Sequence, residues 1–494
     1  MSVARTLSAF FAFAFAVAAV ACSPFSGGTC EDNESCAGAD AGTAGAEGDA
    51  GNSIVVPVNC DLAKSIGDSP ACVSDEVGIF VSPSGSDDAS GRKATPLKTI
   101  AAAVELAASR KLPRVYVCEG TYDVPLEVKS AVSILGGLTC NWEPVPKARP
   151  RITPPVGPAL RVVKVASPIA FEDLDVTAGA AANAPGASAI TAFVSESTAV
   201  AFRRVNLKAG AASAGPKGEA RSNYSAAATE GGSTSSGTPG AGPTCSCIDG
   251  TSSRGGMGSS GPGPGIGSGS SQPQVGISNA GSYSTGSCTP GGVGANGNAA
   301  PERIAQSAGV LGALGWDSSS IAPNANSGNG SPGQGGGGGG GHTDRNVGGG
   351  GGGCGGCGGA GGAPGTNGGS SFALLSFNSG VTIEAGSLVT SEAGAGGAGG
   401  DGQNGQSGAS FGYGACNGGY GGSGAGGNGG GGGAGGHSVP IGFVGTEPTV
   451  TGATLTPGSA GAGGAGGLRG AGPGNAGSSG APGPSGKSQG TLGL

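Results

Sequence analysis

Glycine recurs at every third position over three long stretches of this chain, and no other feature narrows its possible folds so much. One series runs through Gly396, Gly399, Gly402, Gly405 and Gly408. A second runs through Gly418, Gly421, Gly424, Gly427, Gly430, Gly433 and Gly436, and a third through Gly474, Gly477, Gly480, Gly483 and Gly486. Three residues per turn is the repeat of the polyproline II helix, which has no internal hydrogen bonds. Glycine at each third residue leaves one edge of such a helix bare, so a second backbone can approach it closely. Collagen uses that edge but requires three chains, a strict triplet and abundant proline. These tracts are short, broken and mostly poor in proline, so collagen is set aside. Two readings remain open. One is a bundle of polyglycine-II-like helices bonded backbone to backbone. The other is flexible disorder, favoured most for the Ser- and Pro-rich stretch 211–330.

Composition limits what surrounds these tracts. Glycine supplies 113 of 494 residues, whereas charged residues are 11% and aromatic residues 4%. A chain so poor in large side chains cannot bury a core along its whole length. It must join a modest packed region to segments that need little core. A net charge of −7 argues against a nucleic-acid surface, which needs clustered Lys and Arg.

The first residues read as an export signal. Arg5 supplies the positive end, and Phe10 to Val20 form an apolar run too short to span a bilayer. Ala19-Val20-Ala21-Cys22 follows and resembles a bacterial lipobox, although Ala19 stands where Leu is commonest. The resemblance implies cleavage after residue 21, lipidation of Cys22 and anchoring of an exported protein to a membrane by its acyl chains. Ser23 in place of Asp suggests the outer membrane under the Gram-negative sorting pattern. The expected location is thus the outer membrane, the cell surface or the periplasm. Residues 22–77 are polar, acidic and rich in small residues, and are expected to form a flexible tether.

The texture changes at Ile79. Ile79-Phe80-Val81 reads as a strand and Ser82 to Asp87 as a turn. After Pro96, Thr99 is placed to cap a helix in which Ile100, Ala103, Val104 and Ala107 share one face. Strand-like runs follow at Arg114 to Cys118 and Val132 to Leu135. The set Val81, Ser82, Pro83, Gly85, Asp87, Gly91, Pro96, Lys98, Thr99 and Ile100 resembles the N-terminal signature of pectin-lyase-like proteins. That resemblance implies an all-β fold, a right-handed parallel β-helix, with an N-terminal helix capping its open end. It also implies that Cys118 and Cys140, about one coil apart, are bonded.

Internal repeats extend this reading. Ile169 to Gly179 aligns with Val200 to Gly210 at an offset of 31, apolar residue on apolar residue. A further copy is Phe372 to Phe377 followed by Val381 to Leu388, and a weaker one is Ile441 to Val444 followed by Val450 and Leu455. The expected order is a signal peptide (1–21), the tether (22–77), the cap and first coils (78–209), an insertion (210–370), a coil (371–393), an insertion (394–436), a coil (437–457) and a glycine-rich tail (458–494). The insertions all leave from one position of the repeat, so they should emerge side by side. In composition and triplets they resemble the glycine-rich PGRS arrays of mycobacterial surface proteins.

Thirteen cysteines less Cys22 leave an even set: Cys30, Cys36, Cys60, Cys72, Cys118, Cys140, Cys245, Cys247, Cys288, Cys354, Cys357 and Cys416. In an exported chain these read as disulfides, with Cys30/Cys36 and Cys60/Cys72 as local pairs. With two histidines, His342 and His437, a His-based metal site or triad is poorly supplied, and no metal or cofactor is expected. Trp142 and Trp316 are the two tryptophans, a weak supply for a sugar-binding platform. Gly486-Lys487-Ser488 completes a phosphate-loop pattern without the strand and helix that give it meaning.

No catalytic site is expected. The best acid candidates are Glu172, Asp173 and Asp175, with Arg203 and Arg204 one repeat later. A stacked charge ladder accounts for that spacing as well as catalysis does. The favoured function is non-enzymatic: an envelope lipoprotein displaying a glycine-rich surface for adhesion or for matrix or envelope contact. Its expected partners are the membrane, through the lipid, and polysaccharide or another envelope surface, not nucleic acid. The alternative is a lyase or hydrolase of acidic polysaccharide, and Ca²⁺ enters under that alternative alone.

Overall fold

The computed structural model describes residues 55–494, except 156, 182–183, 262, 266–268, 277, 285, 302–306, 320–327 and 343. Cys22, Cys30 and Cys36, with the export signal, lie outside the described residues.

The fold is all-β and its two large sheets are parallel. The chain passes repeatedly through one sheet, crosses to the other and returns. An eleven-stranded sheet takes Gly78–Val81, Arg114–Cys118, Ser133–Leu138, Ile169–Glu172, Val200–Ala209, Val381–Thr390, Thr449–Thr451 and four further short strands. A six-stranded sheet takes Leu126–Val128, Leu160–Val163, Ala189–Ser195, Ser371–Phe377, Ser438–Val444 and Thr491–Gly493.

Register explains why these residues form these strands. Ile79, Val115, Ile134, Phe171, Phe202, Ile383 and Val450 lie opposite one another in seven successive strands. They point inward into one hydrophobic cluster, and the Phe171 and Phe202 rings stack at 5.2 Å. A second inward column is Tyr122, Ile152, Val176, Leu207, Leu388 and Leu455. From the other sheet come Leu126, Leu160, Ala192, Leu374 and Ile441. Period-two alternation places one residue set inward, and parallel stacking sets like on like. The aligned repeats 169–176, 200–207 and 381–388 therefore lie in one sheet and in step. Phe372 to Phe377 belongs to the other sheet, opposite Ala189–Ser195, so that copy contributes a strand to each sheet.

Corners recur at fixed positions. Asp173, Arg204 and Ala385 all have positive φ (53°, 53° and 60°); Asp173 separates two strands of the large sheet, and Arg204 and Ala385 bend the continuous strands Val200–Ala209 and Val381–Thr390. Lys164, Glu196, Asn378 and Gly445 (55°, 50°, 45° and 87°) each follow a strand of the smaller sheet by one residue. Left-handed residues at equivalent places repeat the same bend on each circuit. The helix Ile100–Ser109 forms as the sequence predicts. The Thr99 side chain accepts from the Ala102 N–H, and Ile100, Ala103, Val104 and Ala107 are buried against the first strands. Asp87 accepts from the N–H groups of Lys98 and Thr99, fixing the turn before the helix.

The excursions obey the same register. Ala178, Ala209, Thr390 and Thr456 close equivalent strands, and the chain re-enters the smaller sheet at Ala189, Ser371 and Ser438. Ser488 bridges Ser438 at the last return. The predicted C-terminal tail thus comes back: Thr491–Gly493 pairs with Ser438–Val444 because Leu492 buries itself there.

Two further expectations are corrected. The expected tether does not extend through 60–77, which is packed. Ile66, Val73 and Val77 pack on the outward side chains Phe80, Tyr116, Leu135 and Leu138, beside the Cys60–Cys72 disulfide. Those early strands carry apolar residues on both faces, so their outer face needs a cover. The described parts of 211–330 do not stand apart as isolated chain. Gly215, Gly218, Ala228 and Gly231 donate to Ala395, Ala398, Ser407 and Ser410 of the second insertion. The hairpin formed by Val310–Gly312 and Gly315–Asp317 brings Leu311 and Trp316 onto Phe193, Phe372 and Leu375, on the outside of the smaller sheet. Neighbouring tracts supply partners that an isolated segment would lack.

Between tracts, hydrogen bonds repeat every third residue. Gly421, Gly424, Gly427, Gly430, Gly433 and Gly436 donate to Ala409, Gln406, Gln403, Gly400, Gly397 and Gly394. Gly422, Ala425 and Asn428 donate to a second tract, at Gln334, Ser331 and Gly328. Gly426, Gly429, Gly432 and Gly435 donate to a third, at Asn475, Ser478, Ala481 and Pro484. Three consecutive N–H groups thus reach three different neighbours. This accounts for the near-continuous glycine of 426–436, where every face is packed, and for the triplet pattern of 396–408, where alanine, asparagine and glutamine share the tract.

A Cβ at Gly356 would overlap the Gln406 carbonyl, whereas one at Gly312 would meet nothing within 4 Å. Gly356→Ala should lower the denaturation midpoint by the equivalent of about 2–3 kcal/mol of overpacking. Gly312→Ala should stay within about 0.5 kcal/mol. Equal midpoints for the two variants would refute the packing described.

Candidate functional site

Two regions bear on function: the carboxylates singled out in the sequence, and the glycine tracts with the residues at their turns.

The outward column opposite Phe80 continues as Tyr116, Leu135, Glu172, Arg203, Glu384 and Thr451. In-register pairing brings the charges together. Arg203 donates to Glu172 at 3.0 Å and to Glu384 at 3.2 Å. Arg204 holds Asp173 through two bonds of 2.9 and 2.8 Å, the fork geometry that suits a carboxylate. Asn206 donates to Asp175 at 2.8 Å and accepts from Ser387. Arg149 lies 3.9 Å from Asp173 and 3.7 Å from Asp175, and also donates to the Arg204 carbonyl. The side chains of Glu172 and Asp173 are 2% and 6% exposed, so the guanidiniums take the place of water around them. Hydrogen bonding to Glu172 and to Asp173 pushes the Arg203 and Arg204 guanidiniums further toward their charged form, against burial.

Each expected acid therefore has a partner, and the arrangement is a neutralised ladder. A general acid–base pair needs carboxylates within reach of substrate and not locked to guanidinium. Sequence reasoning missed Arg149 and Glu384. Glu384 was detectable, since it aligns with Arg203 in the repeat. Arg149 belongs to no repeat and carries no such signal. No group of three or more His, Cys, Asp or Glu side chains suited to hold a metal ion occurs among the described residues.

The cysteines staple both regions. Cys60–Cys72 and Cys118–Cys140 pair as expected. The pairings left open in the sequence are Cys245–Cys354, Cys247–Cys357 and Cys288–Cys416. The first two close the long insertion on itself and the third ties it to the next one. They bridge 109, 110 and 128 residues, spans at which the chain-entropy view assigns about 4–5 kcal/mol each. Such bonds persist in an oxidising compartment, extracellular or periplasmic. Among the described residues no helix is long and apolar enough to cross a membrane.

At the turn of the second insertion three rings meet. Phe411 lies 5.2 Å from Tyr413 and 4.8 Å from Tyr420, edge to face in both cases. Tyr413 and Tyr420 are 66% and 53% exposed. A search of the sequence for tryptophan overlooks this group, and its only signal is the isolation of three aromatic residues within a glycine tract.

His437, at the base of that insertion, is buried beside Trp316 and Phe372. Its Nδ1 accepts from the Lys487 N–H at 2.9 Å. Burial first, and the Lys487 charge second, hold its pKa below the usual 6.5.

Arg204→Ala strips Asp173 of its bidentate partner. Loss of one member of a buried pair costs about 3–5 kcal/mol, and the half-exposed Arg204 reduces this to about 2 kcal/mol. Denaturant titration measures it, and an unchanged midpoint would refute the ladder's structural role. The stability contributed by neutral His437 should be complete above about pH 6.5 and lost as the pH falls toward its depressed folded value. Hydrogen exchange at the Lys487 amide, corrected for intrinsic rate, should accelerate from pH 7 to pH 5; unchanged protection would contradict the assignment. No protein-family model, curated protein or solved structure matches this chain.

Proposed function

We propose that this is a lipid-anchored envelope protein in which a right-handed parallel β-helix of the pectin-lyase-like type serves as a scaffold. The polyglycine-II-like bundle is the working surface, presented for adhesion or for matrix or envelope contact. One observation carries the reading. Every oversized excursion leaves and re-enters the sheets at equivalent residues, and the excursions bond to one another. A scaffold that stacks its own repeats brings the insertions out along one side, where they become mutual partners. The recurrent left-handed corners and the two parallel sheets support the β-helix assignment. The disulfides support export, and the Ala19 to Cys22 motif supports the anchor. The paired state of Glu172, Asp173 and Asp175 favours display over polysaccharide cleavage.

In whole-cell fractionation the protein should partition with membranes, and Cys22→Ser should release it; unchanged partition of that variant would refute the anchor. External protease should cut the insertions on intact cells if they face outward. Turnover of uronic-acid polymers, with or without Ca²⁺, that disappears in the combined Glu172→Ala, Asp173→Ala, Asp175→Ala variant would overturn the non-enzymatic reading.

A further inference from the structure

We propose that Phe411, Tyr413 and Tyr420 form a binding platform for an uncharged polysaccharide at the far end of the glycine bundle. The inference rests on the display reading and names the partner of that surface. The second insertion holds three aromatic residues in 394–436, and all three converge at its turn. Twenty residues separate Thr390 from this turn in a tract whose three-residue bonding is unbroken from Gly394 to Gly412. At about 3.1 Å per residue the rings stand roughly 60 Å beyond the sheets. Large side chains there contribute nothing to the sheet core, and more than half of each tyrosine remains open. A lone exposed apolar residue is ordinary, but a cluster of them marks a contact surface.

The platform is held rigid. Gly418 donates to Gly412 and Gly421 donates to Ala409, closing the turn on itself. The Cys288–Cys416 disulfide fastens it to the first insertion between the two tyrosines. The Tyr413 N–H donates to Ser233, and the Tyr413 and Tyr420 carbonyls accept from Thr234 and Gly294. A backbone fixed in this way loses little freedom on binding.

The chemistry of the surroundings selects the partner. Ser410, Gly412, Gly414, Gly419 and Gly421 beside the rings are uncharged, as are Ser233 and Thr234 across the hydrogen bonds. Among the described residues Glu230 is the one carboxylate hydrogen-bonded to this turn, accepting from Ser410 at 2.7 Å. That set offers a polyanion no cation, and a cationic surface one carboxylate that is already bonded to Ser410. A pyranose ring does fit. Its axial C–H bonds carry partial positive charge and are drawn to the negative face of an aromatic ring, while its hydroxyls pair with phenol and backbone groups.

The test uses the full exported chain and defined polymers. Cellulose, chitin and amylose serve as neutral probes, with polygalacturonate and heparin as charged ones. Retention on at least one neutral polymer is expected. The Tyr413→Ala/Tyr420→Ala variant should bind at least tenfold more weakly, with hydrogen-exchange protection at Gly421 and Gly424 unchanged. The Tyr413→Phe/Tyr420→Phe variant keeps the ring faces and should fall between. No neutral polymer retained, retention of charged polymers alone, or neutral binding indifferent to the alanine variant would each overturn the proposal. A chain that protease shows to be displayed on intact cells but that binds no neutral polymer refutes this inference and leaves the display reading standing.

Discussion

Register between parallel strands is the constraint on which the rest of this molecule depends. Each inward residue stacks on its counterpart from the preceding circuit, so one mismatch would turn a whole strand inside out. The columns Ile79 to Val450 and Tyr122 to Leu455 hold that register through insertions of very unequal length. Ala178 to Ala189 is a short excursion, and Ala209 to Ser371 spans most of the glycine-rich chain, yet both resume at the same place. Loop length costs little once the ends are fixed, because closure entropy grows only as the logarithm of length. The scaffold can therefore carry large insertions provided that each returns in step.

Those insertions are stabilised by a different chemistry from the sheets. The sheets bury Phe, Val, Ile and Leu and gain from removing apolar surface from water. The tracts have few such side chains and begin from the most flexible residue available. Close backbone approach replaces the apolar core. Gly427, Gly430 and Gly433 donate to Gln403, Gly400 and Gly397, and a Cβ at Gly402, Gly399 or Gly396 would overlap the carbonyls of Gly427, Gly430 and Gly433. Long-range disulfides lower the entropy of the alternative, unfolded insertion. Glycine therefore permits contact wherever the backbones of neighbouring tracts approach one another.

The surface charges obey the same register. Arg203 on Glu172 and Arg204 on Asp173 are cross-strand pairs one circuit apart, and they neutralise side chains that the ladder itself buries. The excursions also return to cover apolar outer faces. Leu311 and Trp316 do so for the smaller sheet, and residues 60–77 for the first strands. The Tyr413 and Tyr420 rings differ from these, since more than half of each stays exposed among the described residues.

The sequence by itself determined the repeat. The offset of 31 between Ile169 and Val200, the Thr99-capped helix and the period of three in glycine are local patterns, and each dictates its local geometry through steric fit and side-chain periodicity. The partnership of Cys118 with Cys140 came from the resemblance to pectin-lyase-like proteins. What tertiary structure decided was every question of which distant segment meets which. Glycine triplets are nearly identical, so no residue in 213–232 announces that it bonds to 394–412 and not to 461–486. The pairing of Cys245 with Cys354, the approach of Arg149 to Asp173, the return of Thr491 to the sheet and the meeting of three rings at one turn all depend on distances set by the stacked scaffold. A low-complexity tract specifies its own conformation well and its neighbours poorly, because its bonding groups are backbone amides that every residue shares.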